Sequence, residues 1–177
     1  KFKTSLQELA DTIHSFVGAR DKLVVPNLEG DFERFLYATF TSFYSPDNFG
    51  YELEMRYDDR GWLAEFIKSS QFGQIFISRT KPGITRGNHW HNTKIEKFLV
   101  IDGEAEIIFR RVDSEEVIKY QVSGKKLNVI DIPAGYTHSI TNRGSDDLVT
   151  LFWADEIFNP EESDTYFLEA DENKGRR

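Results

Sequence analysis

Hydrophobic positions follow two different periods along the chain. Between residues 5 and 45 the large apolar side chains recur every three or four positions, whereas from Tyr51 onward apolar and polar residues alternate in short runs. The first spacing predicts amphipathic helices, and the alternation predicts half-buried strands. The pattern therefore predicts two short helices followed by an all-β region.

The first predicted helix begins after Ser5, which with Glu8 forms the S-x-x-E pattern of a capping box and is followed by an apolar stripe that ends at Gly18. Asp31 is placed to cap a second helix, which ends before Pro46. Its stripe consists of Phe32, Phe35, Leu36, Phe40 and Phe43. Because two helices of this length leave apolar surface uncovered, we do not expect residues 1–48 to form an independent domain.

The alternating region contains short runs separated by turn residues. The predicted strands are YELEMR, WLAEFI, QIFISRT, KFLVIDG, EAEIIFRRV, EVIKYQV, LNVIDI, HSITN and LVTLFWA. Strands of this length and spacing predict a sandwich or a barrel. Asp58 to Gly61 and Asp102-Gly103 are predicted to be hairpin turns. The acidic end from Asp171 is predicted to be a frayed tail.

Composition narrows the classes of function. The net charge is −8, and adjacent basic residues occur only as pairs, such as Lys125-Lys126 and Arg176-Arg177, which argues against nucleic-acid and membrane partners. No apolar run approaches the roughly 18 residues of a membrane-spanning helix, and no signal peptide is recognisable. The absence of cysteine excludes a disulfide framework. We therefore expect a cytoplasmic enzyme or binding protein, cut from something longer because it begins at Lys1.

Three histidines and one glutamate are predicted to meet inside the barrel. His89 and His91 alternate along a strand and therefore point to the same side. If the chain turns at residues 92–94, Glu96 faces both imidazoles across the hairpin, and His138 supplies a third imidazole. This donor set predicts a site for a divalent transition metal, and zinc, iron, nickel and manganese are all chemically admissible.

These residues resemble the two signatures of the cupin family. Gly83-x5-His89-x-His91-x4-Glu96-x6-Gly103 matches the first signature at every fixed position. Pro133-x-Gly135-x2-His138-x3-Asn142 matches most of the second, which departs from the family at Leu127, where the family has a glycine that serves a turn. The resemblance covers about residues 51–168 and implies a double-stranded β-helix, or jelly-roll barrel, around the metal. It leaves the activity open, because cupins include isomerases, dioxygenases, sensors and storage proteins.

A second resemblance narrows the activity. The run DDRGWLAEF, from Asp58 to Phe66, resembles the D-x-R-G-x-F-x-E hairpin of nucleotide-sugar 3,5-epimerases, with the aromatic position rearranged at Trp62 and Leu63. With GNHWHNTKIEKFLV, DIPAGYTHSITN, LFWADEIFNP and DTYF, it makes the chain similar to the carboxyl-terminal half of the CapF/WbjC family of bifunctional capsular-polysaccharide and O-antigen enzymes. Those enzymes join an amino-terminal short-chain reductase domain to a zinc cupin.

The resemblance implies domain boundaries and an activity. Residues 1–48 would be the last helices of a truncated reductase domain, residues 49–170 the cupin and residues 171–177 a tail. The cupin would epimerise C3, beside the ketone, of a UDP-4-keto-6-deoxy-N-acetylhexosamine on the route to UDP-N-acetyl-L-fucosamine. The reductase domain would then use NADPH. This chain contains neither G-x-G-x-x-G nor Y-x-x-x-K, so NADPH is expected only in the full-length protein.

Epimerisation requires stabilisation of an enolate and transfer of a proton, and the sequence offers candidates for both. A metal, zinc or another divalent ion, stabilises the enolate as a Lewis acid. Tyr136, two residues before His138 on a strand, and Lys94, in the turn beside the ligands, are candidates for the acid and base. Arg60 and Arg86 are candidates for binding the diphosphate of the UDP-sugar.

Two other classes of function remain open. An iron-dependent cupin dioxygenase would need two open metal positions and would consume oxygen. A non-catalytic module would use zinc to stiffen a dimerisation barrel for the attached reductase. In all three classes, sheet edges and an aromatic-rich surface predict a homodimer, and Trp62, Trp90 and Trp153 are expected in the core or an interface.

Overall fold

Two helices precede the strands in the computed structural model, which describes residues 1–171. Helix α1 spans Leu6–Phe16, and its capping box between Ser5 and Glu8 is present as predicted. Helix α2 spans Asp31–Ser42 and is followed by a 3-10 turn at Pro46–Asn48. The predicted cap at Asp31 is wrong: Gly30 holds the cap position without a side-chain hydrogen bond, and Asp31 is the first helical residue.

The helical segment is joined to the barrel by sheet hydrogen bonds. Phe16 is buried between the helices, where its ring meets Tyr37 at 5.0 Å and Phe40 at 5.6 Å between centroids. The backbone N–H of Val25 donates to the carbonyl of Lys68, and the N–H of Lys68 donates to the carbonyl of Leu23, both at 2.8 Å. Residues 1–48 therefore contact the barrel directly, and the domain boundary at residue 48 stays a prediction.

The strands form two antiparallel sheets. In chain order they are β1 Met55–Asp58, β2 Gly61–Ser69, β3 Gly73–Thr80, β4 Thr85–Trp90, β5 Glu96–Asp102, β6 Glu104–Arg111, β7 Val117–Ser123, β8 Val129–Ile132, β9 Tyr136–Asn142, β10 Leu148–Ala154 and β11 Tyr166–Phe167. One sheet has the order β1-β2-β3-β10-β5-β8, and the other has the order β11-β4-β9-β6-β7. The predicted fold class, an all-β jelly-roll barrel of the cupin type preceded by two short helices, is confirmed.

The hydrophobic core lies between the two sheets. Phe152 of β10 stacks on Phe76 of β3 at 4.8 Å and meets Phe98 of β5 edge-on at 4.5 Å between ring centroids. The second sheet contributes Ala105, Ile107, Phe109, Val122 and Ile140 to the same buried cluster. Burial of each large apolar side chain stabilises the folded state by about 1.5–3 kcal/mol, so this packing holds the two sheets together. The sheets in turn fix the positions of β5 and β9, which carry candidate metal ligands.

The two predicted hairpin turns have different outcomes. Asp58 pairs with Gly61 in the register of β1 and β2, which confirms the first hairpin. The prediction at Asp102-Gly103 is wrong, because β5 and β6 belong to different sheets and the turn is a corner between them. Gly103 has φ +90, and a Cβ there would lie 3.1 Å from the carbonyl oxygen of Asp147, so the corner favours glycine.

The predicted tail begins at Asp171, and residues 172–177 lie outside the described residues. Within residues 1–171, no helix is long and apolar enough to cross a membrane.

Candidate metal centre

Four side chains predicted from the sequence as metal ligands lie together at one end of the barrel. One ligand atom each from His89, His91, Glu96 and His138 lies within 4.8 Å of the others. His89 and His138 are directly opposite each other in the register of β4 and β9, and their ring centroids are 4.6 Å apart. His91 follows the last residue of β4, with its ring centroid 5.0 Å from that of His89.

Glu96 reaches the imidazoles by a different route from the one predicted. The sequence predicted a hairpin between the strand of His89 and the strand of Glu96, and this prediction is wrong. Strand β4 belongs to the five-stranded sheet and β5 to the six-stranded sheet, so residues 91–95 cross from one sheet to the other. Glu96 therefore faces the histidines across the interior of the barrel, and the cluster forms only when both sheets are packed together.

The carboxylate of Glu96 lies between two buried imidazoles. Its Oε2 atom is 3.3 Å from Nε2 of His91 and 3.5 Å from Nε2 of His138. Burial alone would raise the pKa of Glu96, but the contacts with His138 and His91 outweigh it and hold this pKa well below its usual range. Burial, and then the neighbouring His138, lower the pKa of His89 to about 4. At neutral pH the cluster thus contains a carboxylate and a neutral His89 imidazole, the states that coordinate metals.

Two ring nitrogens of the cluster lack hydrogen-bond partners. Nε2 of His91 and Nε2 of His138 are buried, and although each faces the Glu96 carboxylate, neither is placed to make a regular hydrogen bond with it or with any other group. Most buried polar atoms in proteins make a hydrogen bond, so two unpaired nitrogens in one cluster indicate that the cluster binds a further group. Imidazole nitrogens and one carboxylate suit zinc and neighbouring divalent ions. The residues present therefore fit a divalent transition metal.

The two candidates for proton transfer belong to different segments of the barrel, one to the loop that follows β4 and the other to strand β9. Lys94 is only 9% exposed, and its Nζ atom is 3.7 Å from Oε1 of Glu96 and 3.3 Å from Oγ1 of Thr165. Tyr136 is half-buried on β9, two positions from His138, and packs against the hydrophobic core. Alternation along β9 therefore puts Tyr136 on the inner face with His138.

The two candidate diphosphate ligands share one acidic partner. Arg86 is largely buried, its Nε donates to Oγ1 of Thr80 at 2.9 Å, and its guanidinium lies 3.8 Å from the carboxylate of Asp58. Arg60, half exposed in the β1–β2 hairpin, also pairs with Asp58. The hydrogen bond from Arg60 is the main reason that the pKa of Asp58 lies below its usual value. Asp58 thus stands between two guanidinium groups.

Comparison with known proteins places this barrel in a family. Residues 56–166 match the family described as the polysaccharide biosynthesis C-terminal domain. The chain belongs to this family. Among its relatives, a Pseudomonas aeruginosa protein named UDP-2-acetamido-2,6-beta-L-arabino-hexul-4-ose reductase is 37% identical over 166 residues, which are 94% of this chain and 45% of that protein.

Solved structures agree with the family assignment. The capsular polysaccharide assembling protein CapF from Staphylococcus aureus matches 95% of this chain with 49% identity and a TM-score of 0.91, and the match covers 46% of CapF. A dTDP sugar isomerase from Desulfovibrio desulfuricans G20, 14% identical, matches 69% of this chain and 83% of its own with a TM-score of 0.52, which shows a shared fold only. The predicted resemblance to CapF is confirmed. The chain spans less than half the length of CapF and of the Pseudomonas relative.

One residue of this family member that contacts the cluster was not predicted from the sequence. The backbone carbonyl of Asp164 lies 2.5 Å from Nδ1 of His91, and the Asp164 side chain accepts hydrogen bonds from the loop that follows His91. Asp164 lies in an acidic stretch with Glu161 and Glu162, so its composition does not distinguish it. The signal was its place at the start of DTYF, one of the runs that make the chain similar to the CapF/WbjC family and whose last two residues form β11.

Proposed function

We propose that this chain is a metal-dependent sugar epimerase domain of a polysaccharide-biosynthesis enzyme. It would epimerise C3 of a UDP-4-keto-6-deoxy-N-acetylhexosamine. We propose zinc as the metal, although another divalent transition metal also fits, with His89, His91, Glu96 and His138 as its ligands. The observation that carries the proposal is the pair of buried imidazole nitrogens without hydrogen-bond partners that converge on a buried carboxylate. The name of the Pseudomonas relative, a reductase of a UDP-linked 4-ulose, supports the class of substrate.

The chemistry at C3 assigns separate tasks to the residues of the barrel. When bound, the metal supplies a Lewis acid that stabilises negative charge on the ketone oxygen. The three histidines and Glu96 would hold it, and the burial of His91, Glu96 and His138 would limit access of bulk water to the metal. Lys94 and Tyr136 lie near the cluster and would remove the proton at C3 from one face and return it on the other.

The guanidinium groups of Arg60 and Arg86 would bind the diphosphate of the substrate. Both already contact the carboxylate of Asp58, so the site accepts negative charge in the free protein. A diphosphate carries more charge than one carboxylate and can accept bidentate hydrogen bonds from both arginines. Substrate binding would therefore exchange Asp58 for phosphate oxygens as the partner of these arginines.

The full-length protein would carry a second activity. The chain matches 45% of the length of the Pseudomonas relative. We propose that the full-length protein also has a short-chain reductase domain that uses NADPH, corresponding to the rest of that relative. Residues 1–48 would be the end of that domain, residues 49–170 the cupin and residues 171–177 a tail. Both steps would lie on the route to UDP-N-acetyl-L-fucosamine for capsular or O-antigen polysaccharide. We also propose that the cupin forms a homodimer.

Deuterium exchange tests the proposed reaction. The purified chain, loaded with zinc, is incubated in heavy water with the UDP-4-keto sugar and without NADPH, and deuterium at C3 is measured by mass spectrometry. We expect incorporation without reduction of the ketone, loss of incorporation with a chelator, and recovery when zinc is restored. Failure to incorporate deuterium with any divalent metal would contradict the epimerase proposal and favour a non-catalytic dimerisation module.

A further inference from the structure

The residues that follow β10 return to the metal centre along the edge of the second sheet. We call residues 164–170 the C-terminal segment. Its strand β11 pairs with β4, with Tyr166 opposite Trp90 and Phe167 opposite His89. The Trp90 and Tyr166 rings stack with their centroids 4.8 Å apart. The backbone N–H of Leu168 donates to the carbonyl of Asn88 at 3.0 Å. The C-terminal segment therefore covers the edge of the strand that carries His89.

Asp164 begins this segment and holds the loop that follows His91. Its carboxylate accepts hydrogen bonds from three consecutive backbone N–H groups, those of Asn92 at 2.9 Å, Thr93 at 2.7 Å and Lys94 at 2.9 Å. The hydroxyl of Thr93 donates a fourth hydrogen bond at 3.1 Å. Hydrogen bonds to an ionised acceptor are roughly twice as strong as neutral ones, so the Asp164 side chain is the main support of residues 92–94, while Asp155 holds Ile95 at the end of the loop.

The main chain of Asp164 holds the ligand itself. Its carbonyl oxygen can only accept, and it lies 2.5 Å from Nδ1 of His91, so Nδ1 must carry the proton. The neutral ring then has its lone pair at Nε2, the atom that lies 3.3 Å from Glu96. A metal-binding histidine is commonly fixed in this way by an acceptor on its other ring nitrogen.

We propose that Asp164 is a positioning residue of the metal centre. Its carbonyl fixes the tautomer and direction of His91, and its carboxylate fixes the loop that puts Lys94 beside Glu96. The inference rests on the proposed metal site, but it concerns a residue that touches neither metal nor substrate. It implies that metal affinity depends on the loop conformation set by a side chain from the other end of the chain sequence.

Metal affinity of designed variants tests this role. In Asp164→Ala the backbone carbonyl remains, but its position is no longer fixed, because the side chain no longer accepts hydrogen bonds from the loop. We expect zinc affinity, measured by competition with a chromogenic chelator, to fall about 10–100-fold. The visible spectrum of the cobalt-loaded protein should change, because it reports ligand geometry.

Two further variants grade the effect. Asp164→Asn keeps one acceptor oxygen, so its zinc affinity should lie between those of Asp164→Ala and the wild type. Thr93→Ala removes only the hydroxyl and should stay within about threefold of the wild type, since all three N–H groups remain.

The outcomes separate this inference from the proposed function. If Asp164→Ala is unfolded by circular dichroism, Asp164→Asn provides the affinity and the spectrum. Wild-type affinity and an unchanged cobalt spectrum in whichever of the two variants is folded would overturn the positioning role while leaving the metal site intact. If the wild-type protein itself binds neither zinc nor cobalt, the metal site of the proposed function fails, and the role of Asp164 fails with it.

Discussion

Arg86 and His89 lie on the same inner face of β4, although three positions along a regular strand would put them on opposite faces. The register pairs Arg86 with Ile140 and His89 with His138, and a bulge separates the two pairs. Residues directly opposite each other share a face, and Ile140 lies in the hydrophobic core. The bulge therefore brings a candidate phosphate ligand and a candidate metal ligand into the same interior.

The bulge depends on Gly87, which gives the first prediction. Gly87 has φ +95, and a Cβ there would lie 2.7 Å from the carbonyl oxygen of His138. Gly83 has φ +74 but nothing within 4 Å of the same position. We expect Gly83→Ala to cost about 1–2 kcal/mol from backbone strain alone. Gly87→Ala should cost more and should weaken metal binding, because β4 must move away from His138. Urea unfolding and metal titration of both variants check this; equal effects would contradict it.

The second prediction concerns the metal directly. His91→Ala should release the metal and lower the melting temperature of the metal-loaded protein, because metal-binding free energy is also folding free energy. His14 is exposed on α1 and is not one of the predicted metal ligands, so His14→Ala is the matched control. Elemental analysis and thermal unfolding report the two effects. An equal metal content in His91→Ala and His14→Ala would contradict the ligand assignment.

The contrast between His138 and Asp164 shows how far the sequence can predict this site. Alternation along a strand was enough to group His89 with His91, because side chains two positions apart share a face. His138 lies on a separate strand and was added because it is a third imidazole in the second cupin signature. The sheet to which Glu96 belongs was not predictable from alternation, since a short turn can join strands within one sheet or between two. The contribution of Asp164 depends on a chain crossing after β10 that no local pattern encodes.

The third prediction is a dependence of stability on pH in the metal-free protein. The pKa of His89 is about 4 in the folded chain, against an ordinary value of 6.5. As the pH falls from 6.5 toward 4, the unfolded chain binds a proton at His89 and the folded chain does not. Stability should therefore fall with pH in this window, by up to about 3 kcal/mol.

A pair of histidine variants isolates this effect. His89→Gln removes the titrating group, so the difference in unfolding free energy between pH 7 and pH 4.5, measured in urea with chelator present, should shrink. His14→Gln should keep the wild-type difference. If both variants retain the full difference, then proton uptake at His89 is not its source.

The last prediction separates the two candidates for proton transfer. Tyr136→Phe retains the ring that packs against the core and removes only the hydroxyl. It should leave metal content and folding unchanged while slowing deuterium exchange at C3 by roughly 10² to 10⁴, the loss typical of a missing acid or base. Lys94→Ala removes an ammonium group that lies 3.7 Å from Glu96, so its metal content must be measured alongside its rate.

The two variants together decide which residue acts. If both slow exchange while their metal content equals that of the wild type, one residue serves each face of C3, as proposed. If Tyr136→Phe exchanges at the wild-type rate and Lys94→Ala does not, Lys94 transfers the proton and Tyr136 only packs. A rate loss in Lys94→Ala that zinc in excess restores would instead show that its charge supports the metal ligands and not the proton transfer. If neither variant slows exchange in a metal-loaded chain that does incorporate deuterium, the acid and base are other residues of the barrel.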